Sequence, residues 1–263
     1  SQGALSEHMS CHLRGLSVLV TRPADQAEKL CGMIEAAHGR PLRFPAMEIL
    51  PTDKPEAARQ LFGAIAPDTL LVFVSVNAVV HAFPLLPEAL PLDLQIAAIG
   101  RATAAALEEY GLPATLIPEQ RFDSEGLLGL DALQDMQGRH VIIVRGNGGR
   151  ELLKQELEKR GATVVYAEVY ERHIPERSAD NLVHGWTQLV DAVTVTSSEI
   201  LDNLLQMLGE KGRELLRETP LVVLSERTAG HAFELGCRKV WVTDMAGDRG
   251  ILHALCEIRE ELS

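Results

Sequence analysis

The chain has 263 residues, 46% of them hydrophobic, and a formal charge of −12. That length reads as two domains of about 100–130 residues, and the acidic balance excludes both a non-specific nucleic-acid binder and a polybasic membrane-surface protein. Charges more than about 8 Å away are screened at physiological salt, so a local set of donors can still hold an anion.

No stretch approaches the roughly 18 uninterrupted apolar residues of a membrane span, and no charged-then-apolar signal opens the sequence. No membrane role and a cytoplasmic location are therefore expected. Residues 1–9 read as a cloning remnant and residues 1–12 as a tail. His8, Cys11 and His12 have chelating spacing but lie in or beside that tail, and no metal is expected. The four cysteines, Cys11, Cys31, Cys237 and Cys256, form no CxxC pair and read as free structural thiols.

Short β-branched runs then alternate with helical patterns. Val18-Leu19-Val20 leads into Thr21-Arg22-Pro23 and a helix with Ala27, Leu30, Ile34 and Ala37 on one face. Leu42 to Leu50 carries Pro41, Pro45 and Pro51 around it and reads as an extended connector. Leu70 to Val74 leads into Ser75-Val76-Asn77 and a helix. Ile96 to Ile99 leads into Gly100-Arg101-Ala102-Thr103 and a helix stopped by Gly111. Such a rhythm predicts parallel sheets covered by helices on both faces.

The second half repeats the first. Val141 to Val144 leads into Arg145-Gly146-Asn147-Gly148-Gly149-Arg150, echoing the run from Val18. Val193 to Val195 with Thr196-Ser197-Ser198 echoes Val74 to Asn77. Leu221 to Leu224 with Ser225 to Ala229 echoes Ile99 to Ala104, and Gly247 to Leu252 echoes Asp123 to Leu128. Four matched blocks in one order indicate a duplication, which by itself divides the chain near residue 137. Val164 to Ile174 is long for one strand. With the proline-rich connector it reads as two crossings between domains, one domain being inserted in the other.

In open parallel sheets, ligands bind beyond the carboxyl ends of the strands. The turns there offer hydroxyls, glycines and helix-start N–H groups, each worth about 0.3–1 kcal/mol to an anion. A lone Ser, Thr or Asn at a helix start is more often a plain cap. The run from Arg145 to Arg150 favours an anion more strongly, although it is neither a Walker loop nor GxGxxG. No GxSxG, HExxH or metal-spaced His/Cys/Asp cluster is present.

Taken together, Val-Leu-Val-Thr-Arg-Pro at 18–23, Ser-Val-Asn-Ala-Val at 75–79, Ile-Gly-Arg-Ala-Thr at 99–103, Val-Ile-Ile-Val-Arg-Gly at 141–146, Val-Tyr-Glu-Arg at 169–172, Thr-Ser-Ser at 196–198 and Ser-Glu-Arg-Thr-Ala at 225–229 resemble the uroporphyrinogen-III synthase family. The resemblance spans about residues 15–258. It implies two related doubly wound α/β parallel-sheet domains, residues 13–46 plus 173–263 and residues 50–170. A two-stranded ladder of linkers 44–50 and 166–174 would join them, with the ligand held in the cleft.

The implied activity is that of a monomeric lyase of haem biosynthesis, without metal or organic cofactor. It cyclises hydroxymethylbilane to uroporphyrinogen III with loss of water and inversion of ring D. A transient contact with the preceding pathway enzyme is the one macromolecular partner considered. Tyr170, a phenol neutral near pH 7, matches the family's tyrosine and would hydrogen-bond the departing hydroxyl. Thr103, Ser197 and Thr228 match substrate-binding positions; Arg22, Ser75, Asn77, Arg145, Gly146, Arg150, Thr196 and Ser198 are further candidates of that type. Two other classes remain open on the residues alone: a non-catalytic two-domain binder of a carboxylate ligand, and a nucleotide-dependent sugar transferase, which would want a clearer phosphate loop.

Overall fold

The computed structural model describes residues 11–245 and 247–263; the reading of residues 1–9 as a remnant, with His8, lies outside them. In chain order the strands are β1 (Ser17–Val20), β2 (Arg40–Arg43), β3 (Glu48–Pro51), β4 (Leu70–Phe73), β5 (Gln95–Ala98), β6 (His140–Gly146), β7 (Thr163–His173), β8 (Ala192–Thr194), β9 (Leu221–Val223) and β10 (Val240–Val242). The helices are α1 (Glu28–Ala36), α2 (Pro55–Gly63), α3 (Val76–Ala82), α4 (Arg101–Glu109), α5 (Ser124–Leu128), α6 (Leu152–Lys159), α7 (Asp180–His184), α8 (Trp186–Leu189), α9 (Ser198–Arg217), α10 (Glu226–Glu234) and α11 (Gly247–Glu261). Among the described residues no helix is long and apolar enough to cross a membrane.

The chain forms two compact units. One comprises Ser1–Glu48, of which residues 11–48 are described, with His173–Ser263; the other is Ile49–Arg172. In the first unit the sheet order is β2-β1-β8-β9-β10, and every pair is parallel. In the second it is β7-β6-β4-β5, parallel throughout, with β3 added beside β7. A single parallel bridge between Ala97 and Leu116 takes the place that β10 holds in the first unit. Both sheets therefore reverse direction of winding at one crevice, β1/β8 in the first and β6/β4 in the second.

Alternation along the central strands builds both layers of the second unit. Leu71 and Phe73 pack with Phe62, Ala78 and Leu107 on one face. Leu70 and Val72 pack with Leu127, Leu133, Leu153 and Leu157 on the other. These strands are buried on both sides, which is why they read as unbroken apolar runs. In the first unit Val18 and Val20 pack with Leu30 and Ile34 of α1 and with Ile251, Leu255 and Ile258 of α11.

Four expectations need correction. Leu42 is not in the connector: β2 pairs Leu42 with Leu19 and Arg43 with Val20. Residues 166–172 of the expected linker 166–174 lie within the second unit, which runs to Arg172. They belong to one 11-residue strand that pairs with β6 from Thr163 onward, because its apolar face is needed in the core. The helix after Arg22-Pro23 starts only at Glu28, behind a 3₁₀ turn at Ala24–Gln26. Finally, Cys11 and Cys256 are joined in a disulfide with Cα atoms 6.1 Å apart, while Cys31 and Cys237 are free and buried. A sequence separation of 245 residues concealed that pairing.

Candidate functional site

At the β6/β4 crevice, β6 ends in Arg145-Gly146 and β4 leads into Ser75. Ser75 is the N-cap of α3, its Oγ accepting from Ala78 N at 3.1 Å. The same Oγ lies 3.2 Å from the Tyr170 hydroxyl. Tyr170 is only 5% exposed and packs with Phe73 and Leu107.

A register shift explains how it reaches that place. β6 and β7 pair Arg145 with Glu168 but Gly146 with Tyr170. Simple alternation would put Tyr170 on the face of Val164 and Tyr166; the irregularity turns it to the opposite one, with Ala167 and Val169. Gly146 makes room for the ring. A Cβ there would sit 2.8 Å from Tyr170 Cδ2 and Cζ.

Beside this pair opens a cavity of about 280 Å³, bordered by Ser124, Arg145, Gly148, Arg150, Tyr166 and Tyr170. Arg150 is already engaged: its Nη2 and Nη1 donate to Glu125 at 2.5 and 3.3 Å, and these bonds hold the Glu125 carboxyl at about 2. Arg145 is 7% exposed, stacked on the Tyr166 ring with its guanidinium carbon 3.3 Å from the centroid. Tyr166 donates to Glu151 at 2.8 Å. Burial first, and that hydrogen bond second, push the Tyr166 phenol up to about 12. A larger opening of about 550 Å³ faces Leu61, His140 and Val165 and contains none of the expected residues.

The first unit carries a hydroxyl cluster of its own. Ser197 caps α9 by accepting from Ile200 N at 3.2 Å, and Ser225 caps α10 by accepting from Thr228 N at 3.1 Å. Thr228, 6% exposed, joins them: Ser225 Oγ donates to its Oγ1 at 3.1 Å, and Ser198 Oγ lies 3.2 Å away. Thr196 is half-buried just before Ser197. Arg22 is paired with Asp248 at 3.0 Å.

The expected residues therefore fall into two groups. Ser75, Gly146, Tyr170, Arg145 and Arg150 gather at one crevice of the second unit. Ser197, Ser198 and Thr228 gather at the helix starts of the first, with Thr196 adjoining; Arg22 belongs to that unit through its ion pair. Thr103, buried in the first turn of α4, and Asn77, in the first turn of α3, belong to the second unit. Tyr166, Glu151, Glu125 and Asp248 were not anticipated. The signal for Tyr166 was present, since it stands in a strand already singled out, four residues before Tyr170. Asp244, His253 and Glu257 bring one ligand atom each within 4.8 Å, a grouping that the spacing of those residues did not suggest; the two carboxylates are exposed.

Two related units, each a parallel sheet with one winding reversal, define a two-domain doubly wound α/β protein, a class whose ligands bind beyond the carboxyl ends of the strands. A model of the uroporphyrinogen-III synthase HemD family matches residues 28–252, and the chain belongs to that family. Members are lyases that convert hydroxymethylbilane to uroporphyrinogen III in tetrapyrrole biosynthesis. The chain is 36% identical to the uroporphyrinogen-III synthase of Escherichia coli over 253 residues, 91% of this chain and 100% of that protein. Identity to the Salmonella typhimurium enzyme is 34% over 246 residues, again 91% and 100%. Among solved structures, a mutant uroporphyrinogen III synthase of Thermus thermophilus superimposes with a TM-score of 0.66 at 21% identity, covering 94% of this chain and 100% of that one. The Helicobacter pylori enzyme gives 0.58 at 15%, with 94% and 100% covered. At such identities these two speak for the fold.

Proposed function

We propose that the turn cluster of the second unit binds hydroxymethylbilane through its carboxylates and that Tyr170 assists the departure of its hydroxyl. The observation that carries this reading is the Tyr170 hydroxyl held 3.2 Å from Ser75 Oγ, above Gly146, at the crevice where a doubly wound sheet receives ligands. The substrate's pyrrole nitrogen supplies the electron pair that breaks the C–O bond, the phenol transfers its proton to the leaving oxygen so that water departs, and the phenolate takes back the proton that the attacked pyrrole ring loses on closure. The protein's larger task is positioning: it must hold the rings so that inverted closure outruns the uninverted one. Thr103 is a further carboxylate-binding position of the second unit in this reading, and Ser197, Ser198 and Thr228 form a separate candidate anion-binding cluster on the first. The chain would work in the cytoplasm, receiving substrate by transient contact with the preceding enzyme.

Supplying hydroxymethylbilane to wild type and to Tyr170→Phe tests the reading. The variant should turn over about 100–10,000-fold more slowly, a general-acid contribution of ordinary size, with product binding little changed. An unchanged rate removes Tyr170 from the mechanism.

A further inference from the structure

We infer that Arg145 is the carboxylate anchor of the second unit and that Tyr166 and Glu151 are the positioning residues that fix its guanidinium. This rests on the turn cluster being the substrate site. The Arg145 side chain is 9% exposed, and its Nε and Nη1 are buried with no hydrogen-bond partner among the described residues. Its acceptor there is Glu151 Oε1, at 3.4 Å from Nη2, a long contact to a carboxylate that is half-exposed. Glu151 is committed elsewhere: its other oxygen takes the Tyr166 hydroxyl at 2.8 Å, and that bond first holds its carboxyl below the usual range.

A buried cation with N–H groups left unpaired is costly unless a partner completes it. Nothing among the described residues does so, and the side chain borders the cavity. Of the neighbouring cations, Arg150 is taken by Glu125, Arg172 donates through Nη2 to Asn147 O at 2.6 Å, and Lys154 lies with its Nζ 5.0 Å from the centroid of the Tyr166 ring. Among the described residues Arg145 has two buried guanidinium nitrogens without a hydrogen-bond partner, Nε and Nη1, and so has N–H groups to offer an incoming anion. Gly148 and Gly149, at φ of +71° and +129°, carry the turn past it with no side chain to screen it. A Cβ at Gly149 would stand 3.5 Å from Arg145 Nη1.

Stacking on Tyr166 covers one face of the guanidinium and leaves its edges, where the N–H groups point, for a planar acceptor. The ligand group that fits is a carboxylate on a short aliphatic arm. Tyr166 and Glu151 act through Arg145: the ring sets the plane of the guanidinium, and the carboxylate, anchored by the phenol, sets its rotation.

Steady-state kinetics with hydroxymethylbilane tests this. Arg145→Ala should raise KM by about 10–100-fold, the loss of a charge-assisted hydrogen bond, with little change in kcat, because the contact is the same in ground and transition states. Arg145→Lys should recover only part, lacking the stacked plane. Tyr166→Leu should raise KM in the wild type but add nothing on an Arg145→Ala background, whereas Tyr166→Phe, which keeps the ring, should recover most of the affinity. Circular dichroism melts of each variant confirm that the comparison is between folded proteins. An unchanged KM in both Arg145 variants, with Tyr170→Phe and Gly146→Ala impaired, overturns the anchor and leaves the site reading intact. Wild-type kinetics in all four overturns the site reading itself. Additive effects of Tyr166→Leu and Arg145→Ala overturn the positioning role.

Discussion

Gly146 and Tyr170 are a matched pair: the ring lies where any side chain on residue 146 would have to be. Gly146→Ala should therefore displace the phenol from Ser75, slowing turnover at least as much as Tyr170→Phe. Overpacking of this kind also costs about 1–3 kcal/mol of stability. Initial rates and a urea titration of the same sample read both effects. Tyr166 is a second residue with its own signature. Its folded pKa, pushed up to about 12 from an ordinary 10.0, means that the fold favours the neutral phenol. That contribution to stability is complete below pH 10 and disappears as pH rises through about 12. The ultraviolet phenolate difference between wild type and Tyr166→Phe should stay flat through pH 10 and rise only on approach to pH 12; a rise centred on 10 would contradict the buried, Glu151-bonded phenol.

Helix starts are the repeating device, and their hydroxyls have two uses at once. Ser75, Ser197 and Ser225 each satisfy an N–H of the first turn that has no partner within its helix. Ser75 also meets Tyr170, and Ser225 also meets Thr228. Capping therefore does not use up the Ser75 and Ser225 hydroxyls, each of which makes a second side-chain contact. One helical turn beyond Ser198 and Thr228, Asp202 and His231 meet at 2.6 Å and tie α9 to α10. Ser225→Ala should lower stability by about 1 kcal/mol, the ordinary worth of such a cap, measured as a shift of the urea midpoint at unchanged slope. A cost near zero would mean that Thr228 Oγ1 takes over the cap.

Across the whole molecule, one covalent bond joins Cys11, near the start of the described chain, to Cys256 on the last helix. It closes a loop of most of the sequence, and such cross-links typically contribute about 2–4 kcal/mol by restricting the unfolded chain. Under oxidising conditions the wild type should unfold at higher denaturant than in dithiothreitol, and Cys11→Ser should abolish the difference. Equal midpoints would show that the bond does not persist in solution. Cys31 and Cys237 should resist alkylation until the protein unfolds, since burial pushes both thiols up.

The sequence by itself determined the fold class, the duplication and the family, because those depend on local signals: apolar runs of strand length, glycine and hydroxyl turns after them, and their repeated order. It also pointed to Tyr170, Ser75, Gly146 and Thr228 one at a time. What only the tertiary structure decided is which of these meet. Tyr170 lies on the face that alternation denies it, because one irregularity in the β6–β7 ladder shifts the register by a residue. Arg150, a candidate cation by sequence, is occupied by Glu125, while the neighbouring Arg145 is buried against Tyr166 with N–H groups to offer. The cysteine pairing was equally out of reach. Each of these outcomes depends on contacts between residues far apart in the chain, and no local pattern encodes them.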